Sequence, residues 1–138
     1  MAHDVILNKI ATIERCIKRI HEEYVGFEEH FKSDYTKQDS VILNLERLSQ
    51  ATIDMATYII RDKKLGLPNT SRELFVLLEE NHLISEKVSS KMQMMVGFRN
   101  IAVHDYSNLN IEIVIAIVEK HLVDFTHFQE EIFENFLR

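Results

Sequence analysis

Glycine and proline are scarce, three of the first and one of the second in 138 residues. Folds rich in strands turn often and lean on these residues at the turns. Their scarcity therefore argues against a strand-rich fold and points to long helices with few connections. Cys16 is alone, so no internal disulfide is available, and its apolar helical register reads as a small core side chain in a reducing compartment. No apolar run reaches transmembrane length. The opening Met-Ala-His-Asp-Val-Ile-Leu-Asn-Lys carries charge where a secretory leader needs an apolar stretch. The expectation is a cytoplasmic chain with no membrane segment. There is no phosphate-cradling glycine loop and no serine nucleophile elbow. Basic charge is also short: 16 Lys and Arg against 22 Asp and Glu give a net charge of −6. Proteins that coat long stretches of nucleic acid are usually basic, since phosphate contacts dominate their affinity. Any action on RNA here must come from a small local site or a groove between two chains.

What the sequence does have is helical periodicity. Ile6, Ile10, Ile13, Ile17, Ile20, Tyr24, Phe27 and Phe31 follow steps of four and three, which predicts one amphipathic helix from about Asp4 to Phe31. A second helix is expected from Asp39 or Ser40 to about Lys64, stopped by Gly66, Leu67, Pro68 and Asn69. Thr70 with Glu73 resembles a capping box ahead of a short third helix. Ser85 caps a fourth, Glu86 to about His104, and a fifth carries Ile111, Val114, Val118, Leu122, Phe125, Phe128, Ile132 and Phe136. The reading is a single domain over 1–138, all-α, a four- to five-helix up-and-down bundle.

The fourth helix behaves unlike an ordinary core helix. From Met92 to Val103 it is apolar almost all round, which suits the centre of a bundle or a subunit interface. Between Lys91 and Asp105 its only fixed charge is Arg99. Val88, Met92, Met95, Arg99, Ala102 and Tyr106 fall in one stripe, so the guanidinium interrupts an apolar seam. Burying it is costly unless it is paired or faces a wet groove. His104 and Tyr106, both able to exchange protons, follow closely. On an unbroken helix Arg99 and His104 stand about 140° apart. Asp105, Ser107 and Asn108 suggest a helix end that frees His104 to swing toward the arginine. Spacing alone leaves a structural ion pair for Arg99, and a helix-dipole role for His104, as open as a functional site.

The remaining candidates are weak. His3, His21, His30, His82, His121 and His127 show no metal-site spacing, and His121 and His127 read as surface residues. Glu130, Glu131 and Glu134 read as a solvated face, and the five methionines as core filler.

Arg99-Asn100-Ile101-Ala102-Val103-His104 resembles the arginine, four to six residues, histidine motif of HEPN domains. With Asp105 and Tyr106 it resembles the longer form, ending in tyrosine, of HepT-like toxins. The helical layout agrees over nearly the whole chain. The resemblance implies a HEPN-like fold and a two-fold homodimer with the motif helices facing each other across a cleft. It further implies metal-independent cleavage of RNA, transfer or messenger, with Arg99 and His104 catalytic, Asn100 in support, and no cofactor. The residues suit that chemistry: imidazole exchanges protons near neutral pH, and guanidinium pairs with phosphate through parallel hydrogen bonds. Tyr106 is implied to accept AMP from a cognate minimal nucleotidyltransferase antitoxin, which would silence the site electrostatically. The alternative is a non-catalytic HEPN dimer that only docks the nucleotidyltransferase.

Overall fold

The computed structural model describes residues 3–138, and every regular element in it is helical. Six α-helices run in order: α1 Asp4–Tyr24, α2 Tyr35–Lys63, α3 Ser71–Glu80, α4 Glu86–His104, α5 Ile111–Lys120 and α6 Leu122–Ile132. Single 3₁₀ turns at Phe31–Ser33 and Tyr106–Asn108 and a π turn at Phe133–Leu137 complete the chain. The all-α expectation holds, with one or two helices more than expected.

The differences have local causes. α1 stops at Tyr24 rather than Phe31, because Val25 is extended and Gly26 takes φ 89°, a left-handed value that glycine accepts without strain. Phe31 still reaches the core, delivered by its 3₁₀ turn instead of by the helix. α2 begins at Tyr35, earlier than expected, because Asp34 caps it through the Lys37 amide at 3.1 Å. The single fifth helix is two, since His121 at φ −120°, ψ −1° leaves the helical region. Val118, Leu122 and Phe125 stay in step across that break and all are buried, so a 3.6-residue period cannot register it.

α1 packs along α2, and α4 lies against α2, α3 and α6. Phe31, Phe75, Phe128, Ile13, Ile20, Leu48 and Met55 are sealed in the core, with Phe75 and Phe128 edge to face at 5.8 Å. Cys16 joins them, and burial pushes its thiol up despite the nearby Arg15 and Arg47. Buried hydroxyls of α2 are satisfied within the helix: Ser49 donates to the Leu45 carbonyl at 2.7 Å and Thr52 to Leu48 at 2.9 Å. Thr70 caps α3, as its sequence suggested, although the Glu73 carboxylate accepts from the Asn69 amide rather than from Thr70. Ser85 caps α4 through the Val88 amide at 3.2 Å. Its own amide and hydroxyl donate to Glu131 of α6 at 2.6 and 2.9 Å. Glu131 is thus no mere solvated charge: it clasps the start of α4. His121 is likewise only partly exposed and pairs with Asp124 at 3.0 Å, whereas His127 is exposed as expected.

Candidate functional site

α4 presents two unlike faces. Val88, Met92, Met95, Val96 and Ala102 are buried against the bundle. Met94 and Ile101, 61% and 47% exposed, share the opposite side, an apolar surface that one chain leaves wet, while Val103 is exposed near the helix end in register with the buried stripe. Arg99 lies on the buried stripe, as its spacing predicts, and is itself only partly buried.

The guanidinium is held by neutral amides. Arg99 Nη2 donates to Gln50 Oε1 of α2 at 2.6 Å, and Nη1 more loosely to Asn100 Oδ1 at 3.5 Å. Nε is buried and has no hydrogen-bond partner. Among the described residues no carboxylate forms an ion pair with Arg99. The nearest acidic influence is Glu46, one turn before Gln50, whose carboxyl is raised by burial and only partly drawn back down by Arg99. The arginine's positive charge is therefore not neutralised by a contact ion pair among the described residues.

His104 does not swing toward it. α4 stays helical through His104, and the Asp105 amide closes the last turn onto the Ile101 carbonyl at 2.8 Å. The exposed imidazole therefore remains about 140° around the helix from Arg99, and no hydrogen bond joins the two. Asn100 is exposed beside Arg99. Tyr106 lies in the 3₁₀ turn beyond, 47% exposed. Its hydroxyl donates to Asp39 at the start of α2. Partial burial, then the Asp39 hydrogen bond and charge, then the charge of Glu46, push that phenol up to about 12.

The α2 side of this arrangement was missed in the sequence. Asp39, Glu46 and Gln50 are spaced seven and four apart, so they form a polar stripe along α2 opposite Arg99 and Tyr106. The spacing was a readable signal, but a polar helical stripe is more often a solvated face. Among the described residues no three His, Cys, Asp or Glu side chains gather in a way that could hold a metal ion. No helix is long and apolar enough to cross a membrane among the residues described.

An all-helical bundle with an arginine and a histidine five residues apart, at the end of a half-exposed apolar helix, resembles a HEPN domain. The chain belongs to the HepT-like ribonuclease family, whose model, Ribonuclease HepT-like, matches residues 13–132. It is similar to the mRNA nuclease HepT of Shewanella oneidensis, 54% identical over 126 residues that cover 91% of this chain and 94% of that protein. Among solved structures it is similar to the tri-AMPylated HEPN toxin of Shewanella oneidensis in complex with MNT antitoxin. That likeness has a TM-score of 0.89 and 53% identity, over 94% of this chain and 96% of the other. A toxin–antitoxin structure with AMP-PNP matches equally well, with a TM-score of 0.89 and 53% identity over 94% and 97% of the two chains. The chain is a ribonuclease of the HepT-like family, and the reading as a non-catalytic docking partner gives way.

Proposed function

We propose that the chain, one domain over 1–138, cuts RNA as a homodimer without a metal ion, and that AMP transfer to Tyr106 silences it. The observation that carries this reading is the Arg99 guanidinium, held by Gln50 and Asn100 amides that leave its charge available for a phosphate. Arg99 binds and stabilises the phosphate at which cleavage occurs, with Asn100 orienting it. His104 carries the proton chemistry. Cleavage beside a ribose takes the proton from the 2′-oxygen, forms its bond to phosphorus and breaks the bond to the 5′-oxygen, which leaves with a proton. Two transfers call for two imidazoles, and one chain offers one motif histidine. The wet apolar face of Met94 and Ile101 gives a second copy something to bury, and His104 lies about 60° around the helix from Ile101, beside that face.

Messenger RNA is the substrate we favour, by likeness to the Shewanella oneidensis nuclease. The partner is a nucleotidyltransferase antitoxin, by likeness to the HEPN–MNT complex. The place of action is the cytoplasm, where RNA and nucleoside triphosphate meet.

Expression of the chain alone should arrest growth, and Arg99→Ala or His104→Ala should relieve the arrest with helix content unchanged. Purified protein should cut RNA equally with and without chelator, and a requirement for added metal would contradict the mechanism. Ile101→Asp should convert the dimer to monomer in analytical ultracentrifugation and abolish cleavage. A monomeric wild-type chain that cuts RNA would remove the two-chain site.

A further inference from the structure

We propose that Asp39 is the proton acceptor for nucleotide transfer onto Tyr106, an inference that rests on the reading of Tyr106 as the acceptor tyrosine. Tyr106 is 47% exposed, and its hydroxyl proton points at Asp39. The charged groups that face the phenol are Asp39 and Glu46, both on α2, and Arg99 of α4 faces Glu46 in turn.

A phenol in this setting cannot react as a ready-made phenolate. With its proton held to about pH 12, only about one Tyr106 in 10⁵ is ionised at neutral pH. The proton must therefore depart as the new bond forms, to a base already in contact with the oxygen. Asp39 alone of the two carboxylates accepts a hydrogen bond from that hydroxyl. Protein kinases place an aspartate in the same relation to a substrate hydroxyl.

The step balances. The Tyr106 Oη–H bond breaks and its proton passes to the Asp39 carboxylate. Oη forms a bond to the α-phosphorus of a nucleoside triphosphate. The bond from that phosphorus to the bridging oxygen of the β-phosphate breaks, and pyrophosphate leaves with the electron pair. Asp39 then returns its proton to water. In the product Oη has no hydrogen to donate, and an anionic phosphodiester lies beside the Asp39 and Glu46 carboxylates. The modified ring is thereby repelled from α2 toward the open side of the site.

The test uses the full chain with its cognate nucleotidyltransferase and magnesium ATP, following AMP gain by intact mass across a pH series. The wild type should gain AMP at a rate nearly flat from neutral to mildly alkaline pH. Asp39→Asn should be about 10²–10⁴-fold slower at neutral pH, with a rate that climbs about tenfold per pH unit as hydroxide takes over. Asp39→Glu, which keeps a carboxylate, should recover part of the rate and the flat profile. An Asp39→Asn chain modified at the wild-type rate overturns the proposal. So does one slowed by a constant factor with the wild-type profile, since that is positioning without proton transfer. A wild-type chain that gains no AMP, or a Tyr106→Phe chain that gains as much as wild type, overturns the reading of Tyr106 itself. That result is seen without altering Asp39.

Discussion

Gln50 meets the Arg99 guanidinium at 2.6 Å, while Glu46, one turn earlier on the same face of α2, feels it only across a longer gap. Exchanging the order of these two residues would leave the fold nearly untouched and change the chemistry. A carboxylate at position 50 would lock the arginine in an ion pair. The amide orients it and leaves its charge unspent.

Gln50→Glu should therefore lower RNA cleavage by about tenfold to a hundredfold, more than Gln50→Ala, although it strengthens the contact to Arg99. Single-turnover cleavage of an RNA oligonucleotide checks the ranking. If Gln50→Glu cleaves as fast as wild type, Arg99 is not the phosphate ligand.

Glu46 gives a pH-dependent stability with a defined sign. Burial raises its carboxyl in the folded chain, so its contribution is fully present below the usual carboxylate range. It is lost as pH rises through the folded value, where the charge must be carried in a partly desolvated place. Glu46→Gln should melt higher than wild type at neutral pH, and the two curves should converge in acid. Thermal unfolding followed by circular dichroism between acid and neutral pH measures this.

The phenol of Tyr106, pushed to about 12, should appear late in a spectrophotometric alkaline titration. The wild type minus Tyr106→Phe difference isolates it from Tyr24, which burial and Glu119 push equally far. Asp39→Asn should bring the Tyr106 midpoint down toward the ordinary value of 10.0, though not all the way, since partial burial is the largest cause. The sign for stability is the same as for Glu46: the contribution holds below the ordinary phenol value and disappears as pH climbs through the raised one.

Ser85→Ala removes the α4 cap and one of two hydrogen bonds to Glu131 together. A loss of about 1–2 kcal/mol in urea unfolding is expected. Glu131→Gln, which leaves the cap in place, should cost less.

Much of this was legible in the residues. The Arg99 stripe, the Ser85 cap and the apolar surround of α4 follow from spacing and residue type. Helix existence followed from periodicity, but helix ends did not. The bend at Gly26 and the break at His121 leave Tyr24, Phe31, Val118, Leu122 and Phe125 buried, so the apolar rhythm continues through both. The partners of the site were illegible for another reason. Asp39, Glu46 and Gln50 lie about 50–70 positions before the residues they face, and single-sequence spacing reports neighbours along one helix, not across two.

With the two-chain site proposed above, the divergence of Arg99 and His104 around α4 has a consequence at the level of copy number. A site that needs two chains is absent from a newly made one, and at low concentration its abundance rises with the square of the number of chains. Leaky synthesis of a few molecules would then be nearly harmless, while a doubling of dose would about quadruple the damage. An antitoxin of the kind proposed would have its interval for action before two copies meet.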